Sequence, residues 1–102
     1  MDKENFAQNL SFELGRRGIT KDDLADASGL SRSFLFSITK SINPENCSLE
    51  KGTAIASALS MPLFLFLLPP EVFQKTVSLL PKLPKKPVSI SSAIKALASS
   101  TE

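Results

Sequence analysis

Residues 20–40 constrain the chain more than any other stretch, because they divide into two short helical segments around one glycine. Thr20 has the character of an N-cap, and Asp22 and Asp23 sit in the first turn that follows, where carboxylates suit the helix dipole. This segment runs to about Ser28, with Leu24, Ala25 and Ala27 facing inward. Gly29 takes a positive φ at little cost, which a sharp helix-to-helix turn needs. Leu30 plugs the corner. Ser31 caps a third helix that ends near Lys40, on which Leu35 and Ile38 share a face with Phe34 near its edge. Two helices so short and so sharply joined have to pack on other elements.

The flanking sequence supplies those elements. Asp2 to Arg17 fits a first helix, with Phe6, Leu10 and Leu14 four apart in one apolar stripe that Ala7 widens. Gly18 is its stop, after Arg16 and Arg17 in the last turn. Asn43-Pro44-Glu45-Asn46 is a turn. Ser48 caps a fourth helix, with Lys51 where a full capping box has an acid, and Leu49, Ile55, Ala56 and Leu59 form its apolar face. Pro62 suits the start of a fifth helix over Leu63 to Leu68, and Pro69-Pro70 break it. Glu71 to Leu80 forms a sixth, with Val72, Phe73, Val77 and Leu80 apolar. Pro81, Pro84 and Pro87 then alternate with Lys82, Lys85 and Lys86, a basic extended linker. Ser89 to Ser100 reads as a weak amphipathic helix through Ile90, Ile94 and Leu97. No stretch alternates as a strand does and none repeats, so the fold class is all-α. The expected division is a helical domain over 1–68, a C-terminal helix over 69–80, and a linker with a weakly helical tail over 81–102.

Composition narrows the function classes. At 102 residues and 42% apolar, the chain encloses one modest core. One cysteine, Cys47, and no histidine argue against a zinc site and exclude cysteine–histidine catalysis. There is no glycine-rich phosphate loop and no carboxylate cluster with metal spacing, so no catalytic residue, metal or cofactor is expected. The charged start, Met1-Asp2-Lys3-Glu4, does not read as a signal peptide, and a lone cysteine suits a reducing cytoplasm. Met61 to Leu68 is far shorter than the ~20 residues of a membrane-spanning helix. Residues 1–59 hold seven Lys/Arg against eight Asp/Glu, a net of −1. Any argument for a polyanionic partner therefore rests on where the charges sit rather than on their sum.

In this order the parts resemble the Cro and lambda-repressor-like helix-turn-helix family, often called the Xre family, over roughly residues 4–68. Three pieces carry the resemblance. Gly18-Ile19-Thr20-Lys21-Asp22-Asp23-Leu24-Ala25 looks like the lead into the family's second helix. Ala27-Ser28-Gly29-Leu30-Ser31-Arg32-Ser33-Phe34-Leu35 looks like its turn and reading helix. Asn43-Pro44, Ser48-Leu49-Glu50-Lys51 and Ala56-Ser57-Ala58-Leu59-Ser60-Met61-Pro62-Leu63 look like its fourth and fifth helices. The chain departs from the family's pattern at Lys21, Thr39, Ser41 and Gly52, where glutamine, an acid, glycine and an apolar residue are common. The resemblance implies a compact five-helix domain whose second helix-turn-helix helix lies in the major groove of double-stranded DNA. Carried over by position, Arg32, Ser33, Phe36 and Ser37 face the bases, while Lys21, Ser31 and Lys40 meet phosphates.

Side-chain chemistry gives these positions content. The planar fork of Arg32 matches guanine O6 and N7; the bland alternative is an exposed arginine paired with Asp26. Ser33 and Ser37 donate or accept, and Ser31 caps its helix with its backbone N–H near a phosphate. Phe36 lies on the open side, against a thymine methyl group, helix two or a partner subunit, whereas Phe34 packs. Arg16 and Arg17 are weaker phosphate candidates. The apolar segment after Pro62 suits a central core helix or a dimer interface; the expectation is that one face, through Leu63, Phe66, Val72, Phe73 and Val77, joins two copies into a dimer. The resulting expectation is a dimeric, sequence-specific regulator of phage or mobile-element type that occupies an operator as a repressor. Two alternatives stay open. One is an antitoxin-like module whose apolar C-terminal segment binds another protein, and the other is an architectural protein without sequence choice.

Overall fold

The structure, a computed structural model, describes residues 2–80. The expected linker and tail helix over 81–102 lie outside the described residues. Among those described there are six helices and no strand: α1 (Lys3–Arg17), α2 (Lys21–Ser28), α3 (Arg32–Ile38), α4 (Leu49–Ala58), α5 (Leu63–Phe66) and α6 (Pro70–Leu79). The all-α class is therefore observed.

Local chemistry explains the boundaries. Asp2 accepts from the Asn5 N–H at 3.0 Å and starts α1. Gly18, at φ 68°, ends it with its N–H turned back to the Leu14 and Gly15 carbonyls. Thr20 and Asp23 form a reciprocal capping box at α2. Gly29, at φ 76°, donates to the Ala25 carbonyl and ends that helix. Ser31 and Ser48 accept from the N–H groups three residues on and cap α3 and α4. Three ends differ from expectation. Helix α3 stops at Ile38, where the Thr39 hydroxyl bonds back to the Leu35 carbonyl. Helix α5 is a single turn, Leu63–Phe66. Pro70 opens α6 instead of only breaking α5, because a proline at the first helical position has no N–H to leave unsatisfied.

One core runs through all six helices. Leu10, Leu24, Leu35, Ile38, Ile55 and Leu59 are fully enclosed in it. The Phe66 ring lies 6.0 Å from Phe6 and 5.3 Å from Phe73, so α5 is wedged between α1 and α6. Burying a phenylalanine is worth about 1.5–3 kcal/mol each. This packing corrects two expectations. The core has no division at residue 68, since Phe73 and Val77 of α6 belong to it. Phe66, Phe73 and Val77 are also at most 2% exposed within one chain, so they are core residues and cannot form a dimer surface. Of the expected interface, Leu63 is half-buried and Val72 is 47% exposed. Leu49, expected on the inner face of α4, is exposed, because the first turn after Ser48 turns it outward.

The core is crossed by polar side chains. Glu13 is fully buried and accepts from Arg16 and Arg17. Asn9 donates through Nδ2 to the carbonyls of Phe66 and Leu68 at 2.9 and 2.8 Å. A one-turn helix leaves its last carbonyls without helical partners, and Asn9 supplies a donor to that end of α5.

Candidate functional site

The turn at Gly29 sets α3 against α2 so that the outer side of α3 is open. Leu35 and Ile38 point into the core, and Arg32, Ser33 and Phe36 lie on the exposed side. Seven residues make a helix of less than two full turns past its cap, so its position depends on those two anchors and on the Ser31 cap.

Three of the expected site residues form one cluster. The Phe36 ring is 45% exposed. Lys21 Nζ stands 4.5 Å from its centroid and Arg32 Cζ 5.0 Å from it. Cations over an aromatic face at an exposed site gain about 0.5–1 kcal/mol each. Phe36 thus packs beneath the lysine that opens α2 and the arginine that opens α3, and joins the two helix starts. Arg32 is ion-paired, with Asp22 and not Asp26: Nε lies 2.7 Å from Asp22 Oδ1, and both side chains are about two-thirds exposed (64% and 65%). Asp22 is the member of this cluster that sequence reasoning missed. Its place in the first turn of α2, beside Lys21, was assigned to the helix dipole alone.

The other expected residues are placed as follows. Ser31 is used as the cap of α3. Ser33 is exposed, and Ser37, half-buried, donates to the Ser33 carbonyl at 3.1 Å. Lys40 is exposed and lines an open cleft of about 290 Å³ between α1 and α6, none of whose walls comes from Lys21, Arg32 or Phe36. Phe34 is half-buried with Lys51 Nζ 4.5 Å from its ring. Arg17 is buried against Glu13, which removes it from any outside phosphate, and Arg16 is held by the same carboxylate.

The exposed face therefore offers two cations over one ring, hydroxyls at positions 31 and 33, and one carboxylate that offsets half of the local positive charge. It can contact a polar, partly aromatic and anionic surface. Among the described residues no group of three or more His, Cys, Asp or Glu is placed to hold a metal. No helix there is long and apolar enough to cross a membrane. Comparison with protein-family models, curated proteins and solved structures finds no match to the chain.

Proposed function

We propose that the protein is a sequence-specific DNA-binding regulator that lays α3 in the major groove and acts as a dimeric repressor. The observation that carries this reading is the αL turn at Gly29, which leaves Arg32, Ser33 and Phe36 on the open side of α3 with Lys21 beside them. In this reading Arg32 addresses guanine, Phe36 meets a thymine methyl group, and Ser33 and Ser37 complete the base contacts. Lys21, Ser31 and Lys40 fix the register at phosphates. Two copies place their reading helices on half-sites about one helical turn (~34 Å) apart, which a palindromic operator matches.

The test is binding to the DNA upstream of the protein's own gene against a scrambled duplex of equal composition. The reading expects preference for the upstream DNA, and Arg32→Ala relaxes discrimination at one base position. A uniform loss over all sequences makes Arg32 a phosphate contact. Equal wild-type affinity for both duplexes at moderate salt rejects sequence specificity.

The exposed Phe64, Val72 and Leu79 of α5 and α6 favour a second reading, in which these side chains bind another protein in the manner of an antitoxin and DNA binding is secondary. Co-purification of a second chain, lost on Phe64→Ser and accompanied by no mobility shift of any duplex, supports it over the first.

A further inference from the structure

Two cations and a carboxylate share one ring at the corner where α2 and α3 begin. Lys21 and Arg32 both stand over Phe36, and like charges brought to one ring repel each other. Asp22 Oδ1, 2.7 Å from Arg32 Nε, offsets that repulsion and fixes one edge of the guanidinium. Among the described residues the terminal Nη atoms of Arg32 make no hydrogen bond, so the outer fork is open. The carboxylate treats two kinds of approaching group differently. A phosphate coming to Arg32 carries a full negative charge toward Asp22 and must displace it or be repelled. A guanine edge is neutral and takes the open fork while Nε stays paired.

We propose that Asp22 is a specificity-determining residue of this face: it holds Arg32 away from phosphates and leaves it able to engage a guanine edge. Non-specific DNA affinity comes almost entirely from phosphate contacts, so a cation withheld from phosphates raises the ratio of specific to non-specific binding. The inference rests on the DNA-binding reading above and assigns to Asp22 a role separate from helix capping, which Thr20 and Asp23 perform.

The experiment measures four proteins, wild type, Asp22→Asn, Arg32→Ala and the double variant, against two duplexes. One is the duplex recovered by wild type from a random pool, and the other is its scramble. Asp22 is exposed and outside the core, and asparagine keeps its shape, so all four fold. Asp22→Asn is expected to tighten binding to the scrambled duplex by about two- to fivefold, the range set by an exposed ion pair. It steepens the salt dependence of that binding by roughly one phosphate contact. Affinity for the selected duplex changes less, so discrimination falls. In the Arg32→Ala background the Asp22→Asn effect disappears. If the same tightening persists without Arg32, or falls equally on both duplexes, Asp22 acts only through its long-range charge and the inference is overturned while the DNA-binding reading stands. If the pool yields no preferred duplex, that reading fails, and the inference with it.

Discussion

Arg17 donates from Nη1 to the carbonyl of Leu59 at 2.7 Å and so ties α1 to the C-terminal end of α4 across 42 residues of sequence. Its Nε holds the buried Glu13 carboxylate at 2.7 Å, on an oxygen that Arg16 also reaches. A charge this deeply buried is tolerated only while its partner is present. Glu13→Ala is expected to cost about 3–5 kcal/mol, because it leaves Arg17 enclosed without its counter-ion. Urea unfolding followed by helical circular dichroism measures this, and a loss below about 1 kcal/mol contradicts it.

The same carboxylate makes the fold acid-sensitive. Burial alone raises the Glu13 pKa, but the hydrogen bonds and charges of Arg16 and Arg17 outweigh it, and the net value lies below 4.5. The unfolded chain therefore takes up this proton first as pH falls. The stabilisation is fully present above about 4.5 and is lost as pH drops through the lower folded value. Urea midpoints from neutral pH downward should fall more steeply for wild type than for Glu13→Gln, and parallel curves exclude this linkage.

Two glycines of similar surroundings should respond in opposite ways to alanine. Beyond the chain neighbours and the backbone of its own helix, neither Gly15 nor Gly29 has an atom within 4 Å of where a Cβ would stand, so packing does not separate them. Gly29 sits at φ +76°, where an L side chain costs about 1–2 kcal/mol. Gly15 lies within α1, where alanine is favoured by about 0.5–1 kcal/mol. Thermal melts of Gly29→Ala and Gly15→Ala should move in opposite directions from wild type.

Phe73 tests whether α6 belongs to the domain. Its ring packs on Phe66 and meets the edge of Phe12 at 6.3 Å, and it is fully buried. Phe73→Ala should lower stability by about 3–5 kcal/mol in one cooperative transition. Two separate transitions, or a loss confined to α6, restore the division at residue 68.

Cys47 should be slow to react. Burial pushes its thiol pKa up, and Lys51 only partly opposes that. The thiolate is the nucleophile, so a disulfide reagent at mildly alkaline pH should label the native protein much more slowly than the urea-unfolded chain. Equal rates contradict the burial.

Much of the fold was legible because short-range chemistry determines it. Thr20, Ser31 and Ser48 cap their helices as their residue types and positions imply, and Gly29 takes the αL turn. The inward Leu24, Leu35, Ile38 and Ile55 follow from helical spacing. The segment after Pro62 was misassigned because it is apolar on every side, so periodicity could not separate a core helix from an interface. Only the aromatic contacts of Phe66 with Phe6 and Phe73 decide it. Asn9 and the Glu13–Arg17 pair escaped notice because tertiary packing encloses them and brings near the backbone carbonyls they meet, those of Phe66 and Leu68 for Asn9 and that of Leu59 for Arg17. At the candidate site, Arg32, Phe36 and Lys21 were named from position, but their convergence on one ring was not. Asp22 was hidden by an adequate local explanation, the helix dipole.

The central claim is that α3 reads DNA sequence, and the most direct test is selection of duplexes by the full-length protein from a random pool. The account predicts a recovered consensus with two symmetric half-sites about one helical turn (~34 Å) apart, including a guanine whose enrichment disappears with Arg32→Ala. Recovery of unenriched sequence at low and moderate salt contradicts it.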